Sequence, residues 1–283
     1  MNYHKVCIFG YGKWSRKFIP NLNNKQYKIE KIITNKDFND KIFAKKISKK
    51  KLSEFDVIYL AKDPERNYKF FINNFHYMKN VVFEKPSSLS IKKINNIINI
   101  CESNKLKLIV SYPQIYSKIF DFISINNIKK ISIVNCGDGP VRDYLNPVDD
   151  YIPFVLILII KLIDINNINL SKLKKKINKD KINKNKYNFK SSFILNDIIF
   201  DIHVGNNFKT RQSYIKLYKK DGIIEKFNFI KETIHERSKL LRIYKNNDNI
   251  SNMLDYLLKS NFNVIFNMLL KEKVAYKLSR DFN

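Results

Sequence analysis

From the N-terminus to about residue 115, short apolar runs alternate with segments of helical periodicity, and this alternation limits the fold more than any other feature. Lys5–Phe9 (KVCIF) is an apolar run, followed by the turn Gly10-Tyr11-Gly12 and a helical stretch from Trp14 to Leu22. Tyr27–Thr34 is a second run. Asp56–Ala61 (DVIYLA) is a third, after which Pro64 opens a helix expected to reach Met78. Asn80–Phe83 (NVVF), a helix over Ser90–Asn104, and Leu106–Ser111 (LKLIVS) complete the series. In the Ser90–Asn104 segment Ile91, Ile94, Ile97, Ile98 and Cys101 recur at helical spacing. Strands that alternate with helices in this way cover both faces of a parallel sheet. Residues 1–115 therefore predict a doubly wound α/β domain.

Beyond residue 115 the pattern changes. Ile131–Cys136 reads as a strand and Ile152–Ile165 as a buried helix; Asn166–Lys190, rich in Lys and Asn, reads as solvated strand or loop. Ser192–Leu195 and Ile198–Val204 flank Asn196-Asp197, a dipeptide suited to a hairpin turn, and Gln212–Tyr218 and Ile223–Asn228 flank Asp221-Gly222. Ile198, Phe200, Ile202 and Val204 share one face by period 2. Long strands in succession predict an α+β domain over residues 116–283 with an open, mostly antiparallel sheet. Helical patterns near Met253–Phe262 and Val264–Leu278 close it.

Only six glycines occur in the chain, and two of them, Gly10 and Gly12, directly follow the first strand. A glycine at the first position permits a tight turn, and one at the second lets backbone approach a pyrophosphate at the N-terminus of the next helix. Ser15 stands at the third small position, where helix packs on sheet. Lys13 and Trp14 complete the candidate dinucleotide turn. An acid that binds ribose is expected about 20 residues further on. The second strand ends instead in Asn35-Lys36. Asn35 can hydrogen-bond a ribose without repelling a 2′-phosphate, and Lys36 can pair with one, so NAD and NADP both remain open.

Composition excludes several classes. Three cysteines outside any Cys-x-x-Cys pair do not make a disulfide framework, and four scattered histidines do not make a zinc site. The most apolar run, Ile152–Ile160, is far shorter than the roughly 20 residues a membrane span needs. No secretory signal pattern opens the sequence, so a cytoplasmic protein without a membrane partner is expected. The formal charge is +27, yet Lys greatly outnumbers Arg and is spread along the whole chain, and Lys, Asn and Ile make up close to half of the residues. That is compositional bias rather than the clustered, Arg-rich face of a nucleic-acid binder. No specific nucleic-acid partner is expected.

Phe83-Glu84-Lys85-Pro86 follows a strand, and Glu-Lys-Pro in that place resembles the signature of the glucose–fructose oxidoreductase and inositol dehydrogenase (Gfo/Idh/MocA) family. GYGKWSRKFIPNL resembles the opening GYGxWGxNLxRN of its nucleotide-sugar 3-dehydrogenase branch. The segment from Asp56 to Ser90 follows the family's stretch through Glu-Lys-Pro, with Asn67 where many members have His. VSYPQIYS, residues 110–117, resembles the end of its Rossmann domain, with Tyr116 at a common tyrosine. GPVRDYLNPVDDYIPFV, residues 139–155, resembles G-x-x-R-x-D-x-N-x-x-x-D-x-x-P-H-D, aligning Gly139, Arg142, Asn146, Asp150 and Pro153. The family's His-Asp is Phe154-Val155 here.

The resemblance implies an NAD(P)-dependent oxidoreductase that moves a hydride to or from a sugar or nucleotide-sugar. The cofactor would lie over Gly10 and Gly12, with Glu84 and Lys85 beside its nicotinamide. Such a reaction needs a group to handle the hydroxyl proton and a charge to steady the oxygen. Phe154 can do neither, so Lys85 and Asp150 are the catalytic candidates. Asp150 also suits a helix N-terminus. Tyr116, Arg142 and Asn146 are the candidate substrate contacts, and Tyr112 and Tyr144 are further aromatic candidates; Arg suits a diphosphate or carboxylate. His203, in a strand, reads as structural. The open sheet, near residues 192–230, implies a homo-oligomer. A second reading, a degenerate non-catalytic relative that binds nucleotide or a protein partner, rests on Phe154, Val155 and Asn67.

Overall fold

The computed structural model of the chain describes residues 3–12, 15–22, 26–34, 52–138, 147–163, 171–179, 186–244 and 248–282. Two compact units emerge: Met1–Pro113 with Asp248–Lys273, and Gln114–Asn247 with Val274–Asn283.

The first unit holds β1 (His4–Phe9), α1 (Ser15–Leu22), β2 (Tyr27–Ile33), β3 (Val57–Leu60), α2 (Pro64–Asn74), β4 (Asn80–Glu84), α3 (Ile91–Asn104) and β5 (Lys107–Ser111). The strands form a five-stranded sheet in the order β2-β1-β3-β4-β5, every neighbouring pair parallel. Val57–Leu60 and Asn80–Phe83 are buried at every residue, as central strands covered on both faces must be. This is the doubly wound sheet that the alternation predicts.

Local chemistry sets the helix ends. Asp63 caps α2 by accepting from the Arg66 amide at 3.0 Å, and Pro64 takes the first helical position, where its missing N–H costs nothing. The helix stops at Asn74, short of Met78, and tightens into a 3-10 turn over Phe75–Tyr77. Phe71, wholly buried, meets Phe83 edge-on at 5.3 Å. Truncating a ring so placed costs about 3–5 kcal/mol. In α3 the buried residues are Ile94, Ile97, Ile98 and Cys101, and Lys105 ends the helix with a φ of 51°.

A segment that chain order alone assigns to the second half returns to this unit. Helix α5 (Asn249–Lys259) is capped by Asp248, which accepts from the amides of Ile250 and Ser251, and it buries Met253, Leu254 and Leu257. The Lys107 ammonium donates to the carbonyls of Leu258 and Ser260 at 3.0 and 3.2 Å, a cation at the negative end of a helix. Asp255 accepts from Tyr27 and Gln26, which ties the helix to β2. Helix α6 (Phe262–Ser279) follows.

The second unit is built on an eight-stranded sheet. Its strands are β6 (Ile128–Cys136), β7 (Ser171–Lys179), β8 (Tyr187–Leu195), β9 (Ile198–Gly205), β10 (Gln212–Lys219), β11 (Ile224–Asn228), β12 (Thr233–Glu236) and β13 (Lys239–Ile243). Their order is β13-β12-β11-β10-β6-β9-β8-β7. Every pairing is antiparallel except β6 with β9, so the sheet is open and mostly antiparallel, as expected. Helix α4 (Pro147–Ile163) packs on β6 and β9, and Ile152 through Ile160 are all buried. Asn196 and Asp197 both take positive φ, 49° and 60°, and so form the tight turn joining β8 to β9. Strands β12 and β13 are additions to the sequence reading, and within Asn166–Lys190 the structure forms β7 and the start of β8.

Among the described residues no helix is long and apolar enough to cross a membrane, and no group of three or more His, Cys, Asp or Glu could hold a metal.

Candidate active site

Because the five strands of the first sheet are parallel, their carboxyl ends share one edge. The chain leaves β1 for β2 on one side and reaches β3 on the other, so a crevice opens beyond the end of β1. Gly10 and Gly12 stand at that point and do different work.

Gly10 has a φ of +117°, and a Cβ there would lie 2.8 Å from Lys62 Cγ and 3.0 Å from the Ala61 carbonyl carbon. Only glycine lets the turn press against the end of β3. Among the described residues, its chain neighbours aside, a Cβ on Gly12 would meet no atom within 4 Å. Its missing side chain therefore leaves open space in front of α1. The Gly12 carbonyl accepts from the Arg16 amide and the Ser15 hydroxyl, both at 3.1 Å, which starts the helix, and Ser15 is wholly buried. No acidic residue sits in the first turn of α1, so its positive end is not neutralised from within. A diphosphate fits this cradle of free space, backbone amides and helix N-terminus.

The neighbouring turn, after β3, adds a cation. Lys62 lies over the Phe9 ring at 4.3 Å, and burial, then the Arg66 guanidinium, lowers its pKa while Asp63 opposes them. Asn67 fixes this turn. Wholly buried, it accepts from the Lys62 amide at 3.0 Å and donates to the carbonyls of Leu60 and Lys62 at 3.1 and 2.9 Å. All of its hydrogen-bonding groups are used on backbone.

Glu84 closes β4, Lys85 follows it half-buried, and the Lys85–Pro86 peptide is cis. The Tyr59 hydroxyl donates to Glu84 Oε2 at 2.9 Å and lies 2.7 Å from Ser111 Oγ, joining the ends of β3, β4 and β5. Just beyond, Ser87 and Tyr112 donate to Oε1 of Glu272, at 3.3 and 3.0 Å. Glu272 comes from α6 and is buried; its Oε2 has no hydrogen-bond partner among the described residues. Burial pushes its carboxyl up to about 7, against the pull of the Tyr112 and Ser87 hydrogen bonds and the Lys85 charge.

The structure thus gathers Gly10, Gly12, Ser15, Glu84 and Lys85 on the strand edge of the first unit. In the second unit, Asp150 lies half-buried in the first turn of α4, next to Asp149, which pairs with Arg280 at 3.6 Å. Phe154 and Val155 are buried in the same helix. Tyr116 is half-buried with the Lys161 ammonium 5.5 Å from its ring centre. His203 is half-buried against Phe208, its pKa lowered by burial and then by Lys190. Lys13, Trp14, Asn35, Lys36, Gly139, Arg142, Tyr144 and Asn146 lie outside the described residues.

Tyr59, Ser87, Ser111 and Glu272 were not legible as site residues. For Glu272 a signal existed. Ile265, Leu269 and Glu272 are the buried positions at helical spacing in this part of α6, so an acid interrupts an apolar stripe.

Residues 4–112 match the GFO_IDH_MocA family, described as an oxidoreductase family with an NAD-binding Rossmann fold. No curated protein sequence matches the chain. Among solved structures, the UDP-N-acetylglucosamine 3-dehydrogenase GnnA from Acidithiobacillus ferrooxidans is similar with a TM-score of 0.77 at 12% identity, over 99% of this chain and 98% of that one. A dehydrogenase (MviM) from Clostridium difficile gives 0.73 at 15% identity, over 99% and 98%. Biliverdin reductase from Synechocystis, solved with biliverdin and NADP+, gives 0.70 at 13%, over 98% of each chain. At identities this low the likeness is one of fold. Residues 4–112 thus carry the NAD-binding Rossmann fold of the GFO_IDH_MocA oxidoreductase family.

Proposed function

We propose that the protein is an NAD(P)-dependent oxidoreductase that acts on a sugar or nucleotide-sugar by hydride transfer. The observation that carries this reading is the open cradle before Gly12 and α1, on the same strand edge as Glu84-Lys85-Pro86. The name of the similar dehydrogenase from Acidithiobacillus ferrooxidans supports a nucleotide-sugar as substrate.

When bound, the nicotinamide supplies the hydride acceptor or donor. The backbone at Gly12 and the first turn of α1 hold the diphosphate. Lys85 handles the proton of the reacting hydroxyl and steadies charge on its oxygen, a role that falls to it because Phe154 carries no polar group. Asp150 is the second proton-handling candidate, with Tyr116, Arg142 and Asn146 contacting substrate. Asn35 and Lys36 decide between NAD and NADP. On this reading the protein works in the cytoplasm, where its three unpaired cysteines stay reduced. It forms a homo-oligomer through the sheet around residues 192–230, where Ile199, Ile224 and Ile230 are exposed.

The test is fluorescence titration with NADH and NADPH, followed by a panel of UDP- and GDP-sugars with absorbance of the reduced nicotinamide as readout. Saturable binding of one cofactor and turnover of one sugar class are expected. A protein that binds neither cofactor, or that binds one and turns over no sugar, sinks the proposal.

A further inference from the structure

Gly10 and Lys62 are fitted to each other. The ladder between β1 and β3 ends at the pair Phe9–Leu60, and the Ala61 amide still donates to the Phe9 carbonyl at 2.8 Å. Lys62 follows directly, just beyond the carboxyl edge of the sheet and beside the Gly10 turn. Its stem fills the space that a side chain at position 10 would take, since a Cβ on Gly10 would lie 2.8 Å from Lys62 Cγ. From there the ammonium reaches over the Phe9 ring, 4.3 Å from its centre, and Phe70 stacks on the same ring at 4.0 Å. One buried side chain holds the backbone of this residue at both ends: Asn67 accepts from the Lys62 amide and donates to the Lys62 carbonyl. The charged groups beside it are Arg66 and Asp63, which pair with each other at 3.3 Å. The fold thus fixes the backbone and the stem of a half-buried lysine where the crevice beyond β1 opens.

Strand order says which part of a dinucleotide this cation can serve. β2 and β3 flank β1 on opposite sides. In a dinucleotide-binding fold the adenine ribose is read at the end of the second strand, so a lysine at the end of β3 lies across the diphosphate from the 2′ position. A cation set against the nicotinamide would disfavour its oxidised, positively charged form. The diphosphate, with two negative charges, is the group that an ammonium here complements. We propose that Lys62 is a cofactor-binding residue whose ammonium is a counter-charge for the diphosphate held at Gly12 and the first turn of α1, and that NAD and NADP share this contact alike. The inference rests on the reading of that cradle as the dinucleotide site. It adds a cation from outside the glycine turn and gives Gly10 a second task, that of seating the Lys62 stem.

Isothermal titration calorimetry of the intact protein with NADH, NADPH and ADP-ribose separates the parts of the ligand. All three carry the diphosphate, NADPH alone carries the 2′-phosphate, and ADP-ribose lacks the nicotinamide. Lys62→Met keeps a stem against Gly10 and Phe9 and removes the ammonium, so its melting midpoint should stay close to wild type. Its affinity for all three ligands should fall about 10-fold and to the same extent, the loss expected when a charged donor is removed from a partly exposed site. The loss should be smaller at about 1 M salt than at about 0.05 M, because it is a loss of charge. Where Lys62→Met does not fold, Lys62→Gln is read in the same way. A loss confined to NADPH would move Lys62 to the 2′-phosphate, and a loss confined to NADH and NADPH would move it to the nicotinamide. A loss of one size at both salt concentrations would make it a packing residue. Each of these results, like unchanged affinity for all three ligands, overturns the inference. A wild-type protein that binds none of the three overturns the reading of the cradle, and the inference with it.

Discussion

The Tyr59 hydroxyl donates to Glu84 Oε2 at 2.9 Å and lies 2.7 Å from Ser111 Oγ, so one buried phenol ties together three strand ends. Lys85 extends from the middle one. Tyr59→Phe removes the phenol oxygen and leaves Glu84 and Ser111 each short of a partner. A buried group left so costs about 1–3 kcal/mol. Urea denaturation should show a loss of that size, and a midpoint equal to wild type would show that the tie carries no energy.

The two glycines of the first turn should separate stability from binding. Gly10→Ala places a Cβ 2.8 Å from Lys62 Cγ at a φ of +117°, so it should destabilise the fold by about 1–3 kcal/mol. Gly12→Val has open space before its Cβ, so the melting midpoint should change little while affinity for NADH or NADPH is lost. Unchanged affinity for both cofactors in folded Gly12→Val would remove the diphosphate from this cradle.

Much of the first unit was legible because its signals are local. Asp63-Pro64 announces a capped helix, and Val57–Leu60 can only be a strand buried on both faces. Strands β12 and β13 escaped notice for an equally local reason. The turn between them uses Arg237 and Ser238 at φ of 46° and 69°, positions where glycine or asparagine gives the usual sign. Leu240, Leu241 and Ile243 are all exposed, so β13 shows no alternation either. The parallel pairing of β6 with β9 depends on a crossover, which periodicity does not report. Glu272 needed the tertiary fold, since nothing near it in sequence marks Ser87 or Tyr112 as its partners.

Glu272 should also leave a mark on stability. Its carboxyl rises from an ordinary 4.5 to about 7 in the folded protein. Between those values the unfolded chain has lost the proton and the folded chain keeps it. Stability therefore falls as pH rises through that window and levels off above about 7. At 1.36 kcal/mol per pKa unit the full change is about 3 kcal/mol. Glu272→Gln lacks this loss, so its stability relative to wild type should improve by up to that amount between about pH 5 and pH 8. A constant difference, measured by urea unfolding at both pH values, would contradict the burial cost assigned to this carboxyl.

The final prediction concerns the histidine that the resemblance over residues 139–155 places where this chain has Phe154. Phe154 is buried in α4 and offers no proton, so the proposed function assigns the acid–base work to Lys85. Removing one positioned acid–base group typically costs about 10²–10⁴-fold in rate. Lys85→Ala should lose that much turnover on any accepted sugar and keep cofactor affinity close to wild type. Phe154→His installs the histidine that the resemblance implies at this position. Burial keeps the new imidazole neutral and able to accept a proton, so turnover should rise while the loss of an apolar ring lowers the melting midpoint. Steady-state rates of the two variants on the same sugar decide the matter. Wild-type turnover in Lys85→Ala would end the assignment of the proton to Lys85, and a rate in Phe154→His no higher than wild type would show that position 154 is not a proton-transfer position in this protein.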